Sequence, residues 1–270
     1  MDIKNTIFLC DMDGTLLRGD SSVSQKNKDS IAKWIEKGGH FGIATGRGHI
    51  NAEPFLEGVQ INAPCIFYNG SMLYDEVKKE VVKVKSLPQE KLKDVLRWVL
   101  KTYPKVMVHV YGLEICHLVS KEEEADQVIL KEHQPAIFSD LENISNESWI
   151  KILFAGKSHE LKDIEEKLQL NLKDDVRWVY SLDIYLEILP KGISKGYMIP
   201  KLKELHGKDS KIVALGDYYN DVEMIKEADL GIAMGNAPMD FQSIADHVTL
   251  SNEEDGVSKV LEDLMDGKFL

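Results

Sequence analysis

An α/β fold with a doubly wound, mainly parallel sheet and an inserted α+β module is what this 270-residue sequence predicts. Three observations carry that expectation. Five short apolar runs of strand-forming residues each stop at a polar or glycine turn, amphipathic helical stretches lie between them, and the middle of the chain breaks the pattern.

The first run, Thr6-Ile7-Phe8-Leu9-Cys10, halts at Asp11-Met12-Asp13-Gly14 and reads as a buried strand ending in a turn. From about Gln25 to Lys37, Ile31, Trp34 and Ile35 recur at helical spacing. Gly38-Gly39 ends that helix and His40-Phe41-Gly42-Ile43-Ala44 follows as a strand, which makes a β-α-β unit. Cys65-Ile66-Phe67-Tyr68 ends at Asn69-Gly70, Lys211-Ile212-Val213-Ala214-Leu215 at Gly216-Asp217, and Leu230-Gly231-Ile232-Ala233-Met234 at Gly235-Asn236. Strands alternating with helices imply a parallel sheet covered on both faces, with ligands at the carboxyl ends of the strands.

From about Val84 to Leu186 the reading changes. Amphipathic stretches such as 92–100 and 161–168 alternate with strands such as Val106-Met107-Val108-His109-Val110, without glycine-rich turns of the flanking kind. We expect residues 84–186 to form the inserted α+β module, and residues 1–83 and 187–270 the core. The acidic run Glu122-Glu123-Glu124 reads as a solvated helix start.

With 43% apolar and 29% charged residues, the composition is that of a soluble globular protein. A net charge of -12 argues against nucleic-acid and anionic-membrane partners, which demand lysine and arginine excess. The three cysteines, Cys10, Cys65 and Cys116, are widely spaced and suggest neither a disulfide framework nor a zinc cluster. Neither a secretory leader nor an apolar run near the ~20 residues of a membrane span is expected, and a cytoplasmic location fits.

Asp11 and Asp13 stand at i and i+2 just past a buried strand. Their side chains can serve one site only if the chain turns at once, which Gly14 permits. An Asp-Gly turn with capping side chains is the structural alternative. A calcium loop is excluded, because its twelfth position, where a glutamate is needed, is Ser22. Thr45-Gly46-Arg47-Gly48 puts a hydroxyl and backbone N–H groups at a strand end, before a helix start able to cradle an anion. As a dinucleotide fingerprint it lacks the third glycine, where Asn51 stands. Lys195 by itself is one lysine among many. Asp217 and Asp221, at i and i+4 after another buried strand, offer hard oxygens suited to Mg²⁺, or else cap a helix.

Taken in order and in strand-end context, Asp11-x-Asp13-Gly14-Thr15, Thr45-Gly46-Arg47, Lys195-Gly196 and Gly216-Asp217-x-x-Asn220-Asp221 resemble the four motifs of the haloacid dehalogenase-like hydrolase superfamily. Tyr68-Asn69-Gly70, the stretch from Leu186 to Gly196 and Ala233-Met234-Gly235-Asn236-Ala237 are similar to its Cof-type phosphatase branch. The resemblance spans nearly the whole chain and implies a Rossmann-like core with an inserted cap.

It also implies roles. Asp11 would be the nucleophile that forms an aspartyl phosphate, and Asp13 the general acid and then base. Asp11, Asp217, the Asp13 backbone carbonyl and, through water, Asp221 would hold Mg²⁺. The Met12 N–H, Thr45, the Gly46 N–H, Lys195, Asn220 and Arg47 would hold the phosphoryl group. The implied activity is Mg²⁺-dependent hydrolysis of small phosphate monoesters, such as sugar phosphates. A phosphosugar mutase or an idle phospho-ligand-binding protein on the same frame is the alternative.

Overall fold

The structure, a computed structural model, describes residues 2–120, 135–144 and 147–269. The Glu122-Glu123-Glu124 run lies outside these residues. Two compact units divide the chain, Met1–Lys83 with Ser194–Leu270 and Val84–Ile193.

In chain order the first unit opens with strand β1 (Thr6–Cys10), helix α1 (Gln25–Glu36), strand β2 (His40–Ile43), the one-turn helix α2 (His49–Ala52) and strands β3 (Cys65–Phe67), β4 (Met72–Asp75) and β5 (Glu80–Val84). The second unit contains α3 (Gln89–Thr102), β6 (Met107–Tyr111), β7 (Cys116–Leu118), β8 (Ala136–Phe138), β9 (Lys151–Ala155), α4 (Ser158–Leu172), β10 (Val176–Leu182) and β11 (Tyr185–Pro190). The chain returns to the first unit with α5 (Ile199–His206), β12 (Lys211–Gly216), α6 (Val222–Glu227), β13 (Leu230–Ala233), α7 (Met239–Gln242), β14 (His247–Val248) and α8 (Gly256–Met265).

The main sheet of the first unit has the order β14-β13-β12-β1-β2, parallel throughout. From β1 the chain winds to β2 on one side, and from β12 to β13 and β14 on the other. The order therefore reverses between β1 and β12, the switch point where open α/β sheets bind ligands.

Burial on both faces explains the apolar runs. Ile7 and Leu9 of β1 join Ile212 and Ala214 of β12 in a core closed by Ile199, Leu202, Met224 and Ile225 of α5 and α6. Phe8, pointing the other way, stacks on Phe41 at 5.8 Å between ring centroids and meets Trp34 of α1 edge-on at 6.5 Å. Each such side chain contributes roughly 1.5–3 kcal/mol on burial. The Trp34 indole N–H is satisfied by the His40 carbonyl at 3.0 Å. The α1 helix, capped by Ser24 on the Asn27 N–H, is tied to α8 through the Ser30 and Ser258 hydroxyls at 2.7 Å.

Two segments differ from expectation. Ala44 lies past the end of β2 and forms a single parallel bridge to Ile66, linking the main sheet to the three-stranded β3-β4-β5 sheet. The helix expected after Thr45-Gly46-Arg47 is one turn, α2, because Pro54 opens a separate 3₁₀ turn directly behind it.

In the second unit, a six-stranded sheet of order β10-β11-β9-β6-β7-β8 is antiparallel except for the β7–β8 pair. Both long helices bury their apolar stripes on it: Leu92, Val95, Leu96 and Val99 of α3 and Leu161, Ile164 and Leu168 of α4 share a core with Val108, Ile152, Phe154 and Ile188. Because β11 pairs with β9 and β10, the division between units falls after Ile193, beyond the expected boundary at Leu186. Among the described residues no helix is long and apolar enough to cross a membrane.

Candidate active site

Every site residue inferred from the sequence belongs to the first unit. Asp11 follows β1 and Asp217 follows β12, the two strands that flank the switch point. The Asp11 N–H donates to the Leu215 carbonyl at 2.9 Å, which fastens one strand tip to the other.

Carboxylate oxygens of Asp11, Asp217 and Asp221 all lie within 4.8 Å of one another. Lys195 faces them from the 3₁₀ turn Lys195–Met198, whose N-cap is Ser194. Its Nζ donates to Asp11 Oδ1 at 2.5 Å and to Asp221 Oδ1 at 2.6 Å. Lys195 and Asp221 are fully buried and Asp11 nearly so. The other Asp221 oxygen accepts from the backbone N–H of Asp217 at 3.1 Å and of Tyr218 at 3.3 Å. Asp221 thus spends both oxygens on protein donors.

The electrostatics are lopsided. Burial pushes the Asp11 carboxyl well above its ordinary value, Asp221 and Asp217 push it further, and Lys195 opposes them. Asp217 is raised to about 6, by burial first and by Asp221, against the hydrogen bond from Thr15. For Lys195, burial disfavours the charged form, but the attraction of Asp11 and Asp221 outweighs it and raises the ammonium. Three carboxyl groups, two of them buried, stand against one ammonium, so their full ionisation calls for further positive charge, and their hard oxygens fit a divalent cation such as Mg²⁺. Among the described residues Asp11, Asp217 and Asp221 bring carboxylate oxygens close enough to hold it, Asp221 at one remove because both its oxygens already accept from protein donors.

The loop after β1 is folded by its own carbonyls: Met12 O accepts from the N–H of Thr15 at 3.2 Å and of Leu17 at 2.8 Å. Thr15 Oγ1 then donates to Asp217 Oδ1 at 2.8 Å. Gly14, at φ +81°, leaves the room that this carboxylate occupies, since a Cβ there would stand 2.3 Å from Asp217 Oδ2. Asn236 Nδ2 holds the Gly14 carbonyl at 2.8 Å.

Asp13 sits apart from the buried acids. Its side chain is 54% exposed and accepts a two-pronged contact from Arg47. Arg47, expected at the phosphoryl group, thus lays its guanidinium on Asp13. Thr45 is buried and accepts from the Arg47 N–H at 3.1 Å. Gly46 lies against the Asn69 amide, whose Oδ1 accepts from Asn220 Nδ2 at 3.3 Å. Asn69 has a left-handed backbone, φ +52°, and its N–H donates to the Thr45 carbonyl.

Thr15, Asn69 and Asn236 had motif membership in the sequence but no role. Their hydrogen bonds bind the strand-end loops to one another, and the clustering of Thr, Asn and Gly at strand ends was the available signal.

A parallel sheet reversing between two strands that each end in an aspartate, with a buried lysine bridging Asp11 and Asp221, is an α/β enzyme architecture with a charged site where such sheets bind ligands. The profile of the haloacid dehalogenase-like hydrolases matches residues 8–261, and the chain belongs to that family. It is 28% identical over 262 residues to the 5-amino-6-(5-phospho-D-ribitylamino)uracil phosphatase YcsE of Bacillus subtilis, covering 96% of each chain. To the pyridoxal phosphate phosphatase YbhA of Escherichia coli it is 25% identical, over 94% of this chain and 97% of the other. A crystal structure of a haloacid dehalogenase-like hydrolase from Bacteroides thetaiotaomicron superposes with a TM-score of 0.85 at 27% identity, covering 96% of this chain and 99% of that one.

Proposed function

We propose that the protein is a Mg²⁺-dependent phosphatase of small phosphate monoesters, working through an aspartyl phosphate on Asp11. The observation that carries this reading is the buried Asp11, joined to Lys195 at 2.5 Å and within 4.8 Å of two further carboxylates at the sheet's switch point. Relatives named as phosphatases of a ribitylaminouracil phosphate and of pyridoxal phosphate support small phosphorylated metabolites as the substrate class.

In this reading the Asp11 carboxylate attacks phosphorus and the ester's alcohol leaves with a proton from Asp13. Water then attacks the acyl phosphate, gives its proton back to Asp13, and Asp11 is released with inorganic phosphate. Lys195, pinned between Asp11 and Asp221, offers its ammonium to the charge that grows on the phosphoryl oxygens. Thr45, Asn220 and the Gly46 and Met12 N–H groups orient that group. Mg²⁺ held by Asp11, Asp217 and the Asp13 carbonyl, with Asp221 acting through water, would offset the repulsion between carboxylate and phosphate dianion. The inserted unit would act as the substrate-selecting cap. Buried free thiols at Cys10, Cys65 and Cys116 support a reducing, cytoplasmic setting.

Hydrolysis of p-nitrophenyl phosphate tests the proposal. Turnover should need added Mg²⁺ and vanish in excess EDTA. Asp11→Asn should abolish it, at least about 10⁴-fold, without lowering the melting temperature, because the change removes one of the mutually repelling buried charges. Near wild-type turnover by Asp11→Asn would exclude Asp11 as nucleophile.

A further inference from the structure

The Asp13–Arg47 pair is built more firmly than an exposed ion pair needs to be. Arg47 Nε donates to Asp13 Oδ2 at 2.8 Å and Nη2 donates to Asp13 Oδ1 at 2.6 Å, the parallel fork that fixes a carboxylate in one plane. The guanidinium is itself fixed, with its central carbon 4.2 Å from the Phe55 ring centroid. Backbone bonds hold Arg47 on both sides: its N–H donates to Thr45 Oγ1 and its carbonyl accepts from the Tyr68 N–H at 2.9 Å. Asp13, half exposed, would otherwise sample several rotamers. The fork takes two of roughly four lone-pair sites on the carboxylate and leaves the others turned away from Arg47.

We propose that Arg47 is the positioning residue of Asp13, holding its carboxylate as the proton acceptor in the water-attack half of the reaction; this rests on the phosphatase reading above. In that half, the water oxygen bonds to phosphorus, the bond from phosphorus to the Asp11 oxygen breaks, and the water proton passes to a free lone pair of Asp13. Asp11 leaves as carboxylate and inorganic phosphate departs. The proton now on Asp13 leaves with the alcohol of the next ester, so the cycle balances. A carboxylate whose two oxygens both accept from one rigid fork has the geometry of a base aimed in a fixed direction. A direct hold on substrate phosphate, the other role open to Arg47, would leave that aim unexplained.

Pre-steady-state and steady-state hydrolysis of p-nitrophenyl phosphate with Mg²⁺ separates the two roles. The p-nitrophenolate leaving group needs no proton, so attack by Asp11 keeps its speed when Asp13 is misaimed, and the acyl phosphate accumulates. Arg47→Gln is expected to lower kcat by about 10- to 100-fold, to change KM by less than about 3-fold, and to release a burst of about one equivalent of p-nitrophenolate per enzyme. Asp13→Asn gives the same burst. The Arg47→Gln/Asp13→Asn double variant is no slower than Asp13→Asn alone, within about 2-fold, because Arg47 acts only through Asp13. Arg47→Lys, which keeps the charge and loses the fork, behaves like Arg47→Gln.

Multiplying effects in the double variant, a raised KM without a burst, or full rescue by Arg47→Lys would each overturn the proposal in favour of a phosphate contact. Wild-type turnover is read in the same experiment. Its absence refutes the phosphatase reading and this one with it, whereas turnover with multiplying variants refutes this one alone.

Discussion

Lys195 is the residue on which the buried acids depend. It is fully buried, and its ammonium is the nearest positive charge to both Asp11 and Asp221. Lys195→Met keeps the volume and removes the charge, leaving carboxylates in the interior with no cation beside them. We expect a loss of about 3–5 kcal/mol in chemical denaturation without Mg²⁺, together with loss of turnover. A loss below about 1 kcal/mol would show that the acids do not rely on the lysine. At this scale the sequence revealed residue types well and pairings poorly. Asp11 and Asp217 could be found because each ends an apolar run, and a carboxylate at a buried strand tip needs a reason. That Arg47 would reach Asp13, or that Asn236 would hold the Gly14 carbonyl, depends on which loops the sheet order makes neighbours. Local pattern does not encode that.

Among elements, β12 and the turn before β13 show how a strand is held at its start. Asp229 Oδ2 accepts from the Ile212 N–H at 2.9 Å, and the same carboxylate pairs with Lys203 at 2.7 Å and Lys211 at 2.9 Å. Partial burial opposes ionisation, but these three donors win and lower its carboxyl to about 2. The folded value lies below the ordinary 3.8, so the stabilisation is fully present above about pH 4 and is lost as pH falls toward 2. Asp229→Asn should cost about 1–2 kcal/mol in urea unfolding at pH 7, with allowance for solvent exposure, and the gap should shrink at pH 2.5. An equal gap at both pH values would assign the effect to the hydrogen bond alone. Element boundaries were readable where glycine or a polar turn stops an apolar run, as at Gly38 and Gly216. They were less readable after Thr45, where the anion-binding helix shrank to the single turn His49–Ala52 ahead of Pro54.

On the scale of the whole molecule, the site is assembled from segments near residues 11, 45, 195 and 217, drawn together by a parallel order with β1 inside it. A ligand that binds only this assembly adds to global stability. Mg²⁺ at about a hundredfold excess over its dissociation constant should raise unfolding free energy by about 2.7 kcal/mol. Thermal melts with and without MgCl₂ measure this, and Asp217→Asn should flatten the response. An equal response in that variant would locate the cation elsewhere. The α/β class was legible at this scale because strand and helix periods alternate so regularly, while the strand order β14-β13-β12-β1-β2 is a long-range property that no window of sequence holds. The surplus of buried acid over Lys195 has a further consequence for how visitors arrive. With Asp11, Asp217 and Asp221 ionised, a phosphate dianion that arrived before any cation would meet charge of its own sign. Under the proposed Mg²⁺ reading the expected order is metal before ester, and raising the ester concentration should not restore turnover lost for want of metal.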